Sequence, residues 1–233
     1  MRPVYILGVG MTRFGKFVDR SLKDLSYEAV WNAIHDFGIS PKEIEMAFFG
    51  NAYTGLITGQ ESIRGQTVLR EVGLMGIPIF NVENACASGS SAFNLAHLAV
   101  ASGKVEVALA LGAEKLFCGD LEKSLHALST SSDLEIEGRM GILFAGIYAM
   151  RVRNHMEKYE VTREQIAKVA VKNHDHGALN PYAQYRNRVT VDEVLASRMV
   201  VDPITLLMTC PMGDGAAAVV VGSERVLPRV SKP

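Results

Sequence analysis

Apolar and polar positions follow two different periods along the first 112 residues. Amphipathic stretches with helical spacing predict helices at residues 21–37, 61–72 and 86–101. Ser21 suits the N-cap of the first helix, and Gly38 suits its stop. Short apolar runs between the helices predict strands at residues 4–8, 46–50, 77–82 and 105–111. Strands that alternate with helices predict an α/β fold with a mostly parallel sheet and helices packed on it.

The pattern changes after residue 114. Residues 115–139 are polar and poorly periodic, which predicts an irregular segment. Further helices are predicted at residues 142–158, 162–177 and 191–196, and closing strands at residues 204–208 and 216–221. We therefore predict a discontinuous α/β domain, residues 1–114 and 201–225, interrupted by a helical insertion at residues 115–200. Such an insertion at the ends of the strands is where binding loops commonly occur.

Composition and charge exclude several classes of protein. The formal net charge is −1, and no long cluster of lysine and arginine suggests a nucleic-acid surface. The apolar runs are far shorter than the roughly 20 residues of a membrane helix, and the N-terminus does not resemble a secretory signal. Three cysteines do not make a disulfide framework, and their spacing fits no zinc site. We expect a cytoplasmic protein without a bound metal.

Cys86 is the candidate nucleophile. It lies between the predicted strand at residues 77–82 and a run of small residues that opens the next helix. The free N–H groups and the dipole of a helix start favour the thiolate form, and small neighbours leave room for a substrate. The alternative interpretation is a buried structural thiol, the usual state of a lone cysteine.

Four sequence strings, in order along the chain, resemble those of the thiolase superfamily, especially sterol-carrier-protein-type and archaeal thiolases. They are GVGMTRFG at residues 8–15, NACASGSSA at 84–92, VKNH with GALNPYAQ at 171–184, and ASR, DPI and CPMGDGAAA between 196 and 218. The resemblance runs from about residue 3 to about residue 225. Any one string alone is weak, but the ordered set is specific.

The resemblance implies an acyltransferase that acts on acyl-CoA. The sulfur of Cys86 would attack a thioester carbonyl, and the acyl group would pass to the thiol of coenzyme A or to the carbanion of a second acyl-CoA. Coenzyme A is then a substrate, and no separate cofactor is implied. The insertion resembles the loop domain that covers coenzyme A in thiolases, and His174 within it is a candidate substrate-binding residue.

The sequence departs from the family in one respect. Thiolases contain two copies of the α/β unit, and the second copy supplies a base in a Gly-His-Pro pattern that this chain lacks. The sequence is therefore either a piece of a longer protein or one subunit whose complementary C-terminal half is a separate chain. The resemblance also implies a homodimer formed through the strand at residues 77–82, and a small partner with a zinc ribbon and an OB-fold.

Other functions remain open at this point. A thiolase-like chain could belong to an aldol lyase, to a hydroxymethylglutaryl-forming enzyme, or to an acetyltransferase for a small ketone or phenol. It could also be a non-catalytic scaffold that binds acyl-CoA. The residues quoted above do not separate these alternatives.

Overall fold

The structure, a computed structural model, describes residues 1–229 and divides into two compact units. Unit 1 comprises residues 1–124 and 213–229, and unit 2 is Leu125–Met212. Residues 115–124 therefore group with the α/β unit and residues 201–212 with the insertion. The sequence analysis placed these boundaries after residues 114 and 200, whereas the two units divide after residues 124 and 212.

The chain contains seven strands and eight α-helices within the described residues. The strands are β1 Val4–Met11, β2 Met46–Gly50, β3 Ile79–Val82, β4 Val107–Glu114, β5 Met199–Val201, β6 Ile204–Thr205 and β7 Gly215–Ser223. The helices are α1 Leu22–Phe37, α2 Thr54–Thr58, α3 Arg64–Val72, α4 Ser88–Ala101, α5 Leu121–Ser129, α6 Phe144–Tyr159, α7 Arg163–Leu179 and α8 Val191–Ala196.

Unit 1 is built on a five-stranded mixed sheet with the order β1-β7-β4-β2-β3. Strand β2 pairs in parallel with β3 and β4, whereas β7 is antiparallel to both β1 and β4. Four strands thus point in one direction and β7 in the other. The α/β class is confirmed, and the sheet is mostly parallel in direction, with one antiparallel strand inside it.

Helices cover both faces of this sheet. Helices α1 and α3 contribute Leu25, Ile34 and Leu69 to a core with Phe49 and Leu109 on one face. On the other face, α4 packs against the sheet through alanines. Strand β4 is buried along most of its length, which explains its continuous apolar sequence.

Local capping signals define α1. The side chain of Ser21 accepts a hydrogen bond from the backbone N–H of Asp24, and the Asp24 side chain accepts one from the N–H of Ser21. These bonds satisfy two donors that a helix start leaves free. The hydrogen bonds from Ser21 hold the pKa of Asp24 below its usual range. Gly38 ends the helix at φ 77°, a conformation that glycine adopts without steric cost.

An ion pair ties the N-terminus to the sheet. The Nη1 of Arg2 donates to both carboxylate oxygens of Glu106, at 2.8 and 2.9 Å, and its Nε donates to the carbonyl of Val100 at 2.7 Å. The hydroxyl of Ser223, at the end of β7, also donates to this carboxylate. These hydrogen bonds, from Arg2 first and then Ser223, lower the pKa of Glu106.

Unit 2 consists mainly of α6, α7 and α8 with a two-stranded antiparallel sheet of β5 and β6. The predicted closing strand at residues 204–208 is wrong. Only Ile204–Thr205 is extended, it pairs with β5, and the chain then turns into a short 3-10 helix, Leu206–Met208. A five-residue apolar run is compatible with either state, and here the buried Thr205 anchors it by donating to the carbonyl of Val194. Within residues 1–229, no helix combines the length and apolarity needed to cross a membrane.

Candidate functional site

Cys86 lies at a corner between β3 and α4. It is the central residue of a 3-10 turn, Ala85–Ala87, that follows β3 and leads directly into α4. Because β2, β3 and β4 run in parallel, their carboxyl ends meet at one edge of the sheet, and the corner follows that edge. The thiol is exposed, unlike a buried structural cysteine.

Two glycines let the start of α4 lie directly on the strand ends. Gly50 and Gly112 are paired neighbours at the ends of β2 and β4. A Cβ atom at Gly50 would lie 2.5 Å from the carbonyl oxygen of Ser88, and one at Gly112 would lie 3.2 Å from the Cα of Gly89. Side chains at these two positions would therefore push the first turn of α4, and with it the Cys86 corner, away from the sheet.

The residue before Cys86 has a left-handed backbone. Ala85 has φ 43°, which is uncommon for a residue with a side chain. The carboxylate of Glu83 accepts the N–H of Ala85 at 2.6 Å. The hydroxyl of Ser88 accepts the N–H of Asn84 at 2.9 Å and donates to the carbonyl of Ala85 at 2.7 Å. Hydrogen bonds made by the side chains of Glu83 and Ser88, one on each side of Ala85 in the chain, thus hold the corner together.

A buried ion pair lies at the end of β4 and the start of β7. The Nζ of Lys115 donates to Asp214 at 2.6 Å, to the carbonyl of Phe117 at 2.7 Å and to the carbonyl of Phe17. The side chains of Lys115 and Asp214 are 8% and 0% exposed. The other carboxylate oxygen of Asp214 accepts the N–H groups of Leu116 and Phe117 at 2.8 and 2.7 Å. Both charges are therefore fully bonded, and the pair fixes the chain where it leaves and re-enters the sheet.

The carboxylate of Glu114 performs a similar role beside the pair. It accepts hydrogen bonds from the hydroxyl of Thr54 at 2.7 Å, from the amide of Asn51 at 2.9 Å and from the N–H of Ala52 at 2.9 Å. These contacts join the loop after β2 to the end of β4. Sequence reasoning missed both carboxylates, although Asp214 stands within one of the strings that resemble thiolases.

Unit 2 contains an open cavity of about 530 Å³. His174, on α7, lines it together with Cys210 and with apolar side chains that include Ile166 and Leu207. The Nδ1 of His174 lies 2.9 Å from the carbonyl oxygen of Asn187. Since a carbonyl only accepts, Nδ1 carries the proton and Nε2 is the acceptor in the neutral ring. The structure thus places the two predicted site residues in different units, Cys86 in unit 1 and His174 in unit 2.

The part of the chain that the structure describes contains no group of three or more histidine, cysteine or acidic side chains arranged to hold a metal ion. The roles predicted for Cys86 and His174 do not require one.

A family model and known relatives identify the fold. The family model described as "Thiolase, N-terminal domain" matches residues 4–225. The chain is 42% identical over 221 residues to an acetyl-CoA acetyltransferase of Methanothermobacter thermautotrophicus, covering 95% of this chain and 57% of that protein. It is 38% identical over 237 residues to sterol carrier protein 2 of Gallus gallus, covering 98% of this chain and 42% of that protein.

A solved structure described as "Ltp2-ChsH2(DUF35) aldolase" superimposes with a TM-score of 0.74 at 28% identity, covering 99% of this chain and 58% of that one. The chain thus spans about half the length of the relatives that it matches. These matches confirm the resemblance to sterol-carrier-type and archaeal thiolases, and the chain belongs to the thiolase family, whose N-terminal domain it represents.

Proposed function

We propose that this chain is the nucleophile-bearing half of a thiolase-type acyltransferase that acts on acyl-CoA. The observation that carries the proposal is the exposed thiol of Cys86 at the corner between β3 and α4, above the carboxyl ends of three parallel strands. Membership of the thiolase family supports the reaction class.

The chemistry requires a sulfur nucleophile with open access. The sulfur of Cys86 attacks the thioester carbonyl, and the C–S bond to coenzyme A breaks as coenzyme A leaves with a proton. In condensation, the acyl group then passes from Cys86 to the carbanion of a second acyl-CoA, which a base forms by removing an α-proton, and the sulfur is freed. In thiolysis, the sulfur instead attacks the 3-keto carbon of a 3-ketoacyl-CoA, and the bond to C2 breaks. C2 takes up a proton and leaves as a shorter acyl-CoA, and the thiol of coenzyme A then takes the acyl group from Cys86. The backbone N–H of Cys86 is a suitable donor to an oxyanion that these steps produce.

A complementary C-terminal half is part of this proposal. Helix α4 buries Ala92 and Ala96 against the sheet, while its outer surface exposes three large apolar side chains, Phe93, Leu95 and Leu98, at 36–40%. Large apolar side chains grouped on an exposed surface are typical of a contact with another protein surface. A second half that covers α4 would also bring the missing base to the side of Cys86.

Two further partners follow from the same family. The edge strand β3 exposes Phe80, whose ring stacks on Phe48 at a centroid distance of 5.3 Å, and this supports a homodimer through residues 77–82. The structurally similar aldolase is described as "Ltp2-ChsH2(DUF35)", a name that joins two components. That name supports a small second partner of the kind expected from the sequence, with a zinc ribbon and an OB-fold.

His174 is proposed to bind part of the acyl-CoA. In the neutral ring, Nδ1 donates to the carbonyl of Asn187 and Nε2 is left as an acceptor, and His174 lines a largely apolar cavity. Such a cavity suits the apolar arm or acyl chain, and the ring nitrogen suits an amide N–H or a hydroxyl of the substrate.

Mass spectrometry of this chain in the complete assembly, combined with its C-terminal half, tests the nucleophile. Incubation with acetyl-CoA or a longer acyl-CoA is expected to add one acyl group at Cys86, and Cys86→Ala is expected to prevent it. Iodoacetamide is expected to alkylate Cys86 faster than Cys118 and Cys210, and acyl-CoA is expected to protect Cys86. Equal, slow alkylation of all three thiols, with no acyl adduct, would instead indicate a scaffold that binds acyl-CoA.

An aldol lyase is the second candidate, favoured by the aldolase neighbour that covers almost the whole chain. Aldol cleavage breaks a carbon–carbon bond without transferring the acyl group to sulfur. With the complete assembly, an aldolase would therefore retain turnover in Cys86→Ala and would release an aldehyde or ketone. A thiolase would lose turnover and would release two acyl-CoA products in the wild type.

A further inference from the structure

The corner before Cys86 contains a strained residue. Ala85 has φ 43°, and only Ile63 and Glu160 share a positive φ among the non-glycine residues described. For a residue with a Cβ atom, the left-handed conformation is higher in free energy than the right-handed one. It persists only where neighbouring groups enforce it.

Two side chains enforce it here. Glu83 accepts the N–H of Ala85 at 2.6 Å, and the Ser88 hydroxyl donates to the carbonyl of Ala85 at 2.7 Å. Both polar groups of the Ala85 backbone are thereby bonded to side chains. The same hydroxyl accepts the N–H of Asn84 at 2.9 Å, so it links the Glu83–Asn84 peptide unit to the Ala85–Cys86 unit, on either side of the N–H of Ala85.

Ser88 is itself anchored to the sheet. It is 5% exposed, and its carbonyl lies against Gly50 at the end of β2. Its backbone N–H bonds to the carbonyl of Ala85, so the Ala85 carbonyl receives both a backbone and a side-chain hydrogen bond from one residue. Ser88 therefore connects the corner to the end of β2 and holds the corner in place relative to the sheet.

We propose that Ser88 and Glu83 are positioning residues that hold Ala85 in the left-handed conformation and thereby fix the direction of the Cys86 side chain. Neither side chain needs to touch the substrate. The proposal rests on the proposed function in that Cys86 is taken as the nucleophile.

Glycine at position 85 provides a specific test, because glycine adopts a positive φ without steric cost. If Ser88 and Glu83 act by holding Ala85, the effects of their removal must be reduced when residue 85 is glycine. A general loss of stability would not show this rescue. Glu83→Gln separates charge from geometry, since its amide oxygen can still accept the N–H of Ala85.

The experiment compares the full chain with Ser88→Ala, Glu83→Ala and Glu83→Gln, each with and without Ala85→Gly. Ser102→Ala is the matched control, because the Ser102 hydroxyl makes only a helical bond to Ala99, at the far end of α4. Two quantities are measured: the rate of iodoacetamide alkylation at Cys86, with Cys118 and Cys210 as internal references, and the amide hydrogen exchange of residues 84–88.

We expect Ser88→Ala and Glu83→Ala to slow alkylation of Cys86 about fivefold or more, without changing Cys118 or Cys210, and to accelerate exchange at the corner. Ala85→Gly should restore much of both quantities, Glu83→Gln should stay within twofold of the wild type, and Ser102→Ala should change neither. Glu83 is exposed, so its variants give the same test should Ser88→Ala fail to fold.

Unchanged exchange at the corner in both alanine variants, or equal losses with alanine and glycine at position 85, would overturn the proposal. A wild-type Cys86 that alkylates no faster than Cys210 would instead count against the proposed function. The exchange measurement would still decide whether Ser88 and Glu83 hold the corner.

Discussion

Replacing Gly50 with alanine would place a methyl group where the first turn of α4 already lies. The new Cβ would stand 2.5 Å from the carbonyl oxygen of Ser88, 2.6 Å from its carbonyl carbon and 2.8 Å from the nitrogen of Gly89. All three atoms belong to the backbone, so no side-chain rotation relieves the overlap. Either β2 or the start of α4 must move, and Cys86 moves with α4.

The magnitude follows from two opposing effects. Overpacking in a well-packed region costs about 1–3 kcal/mol. Alanine also makes the unfolded chain less flexible than glycine does, which stabilises the folded state by about 0.4–1 kcal/mol. We therefore expect a net loss of about 1–2 kcal/mol in the free energy of unfolding, which corresponds to a melting temperature lower by about 2–8 °C for a chain of this size.

Thermal unfolding followed by circular dichroism, together with the alkylation rate of Cys86, measures both consequences. Gly146→Ala is the matched control: its Cβ would meet only the Cγ2 of Ile142, at 3.9 Å, and it lies within α6. That variant should be neutral or more stable by up to about 1 kcal/mol. If Gly50→Ala melts at or above the wild-type temperature and leaves Cys86 alkylation unchanged, the close approach of α4 to β2 does not position the thiol.

Three further predictions concern stability. Asp214→Asn should lower the free energy of unfolding, measured in urea, by about 3–5 kcal/mol, because it leaves the buried ammonium of Lys115 without its counter-ion. The control is the exposed ion pair between Asp175 and Arg188, where Asp175→Asn should cost less than about 1 kcal/mol. Equal losses in the two variants would contradict the idea that burial makes the first pair more important. Folding lowers the pKa of Glu106, so this carboxylate stabilises the fold above its pKa in the unfolded chain, and the stabilisation is lost as the pH falls through the lowered pKa. Glu106→Gln should therefore reduce the decline of the urea midpoint between about pH 5 and 3, and an unchanged decline would refute this. Thr162→Ala should cost about 1 kcal/mol by removing the cap of α7, whereas Thr162→Ser should retain most of the stability, and equal effects of the two changes on thermal unfolding would argue against capping.

Elements with local signals could be predicted from the sequence. Helix α1 was expected at residues 21–37 and is Leu22–Phe37, since its capping residues and its stop stand next to the amphipathic run. The expected helix at residues 191–196 has the bounds found for α8, whose N-cap Thr190 forms a capping box with Glu193. Both depend only on residues within one or two turns.

Elements and contacts that depend on distant residues could not be predicted in the same way. The direction of β7 depends on how the chain returns to the sheet after unit 2, which no local pattern records. Helix α5 was missed within a polar segment, although Leu121, Leu125 and Leu128 stand at helical spacing. Sequence reasoning selected Cys86, but not the groups that hold its corner, because Gly50 meets Ser88 only once β2 and α4 are packed.

The place of β7 has a consequence for synthesis on the ribosome. This strand is among the last described residues, yet it lies between β1 and β4, which are made much earlier. Until residues 215–223 emerge, β1 lacks the strand with which it pairs in the described sheet, and the edge of β4 that pairs with β7 is bare. Pairing across such long sequence separations slows folding, and a nascent chain with open strand edges is prone to aggregate. We expect the emerging chain to need protection by a chaperone until β7 closes the gap between β1 and β4.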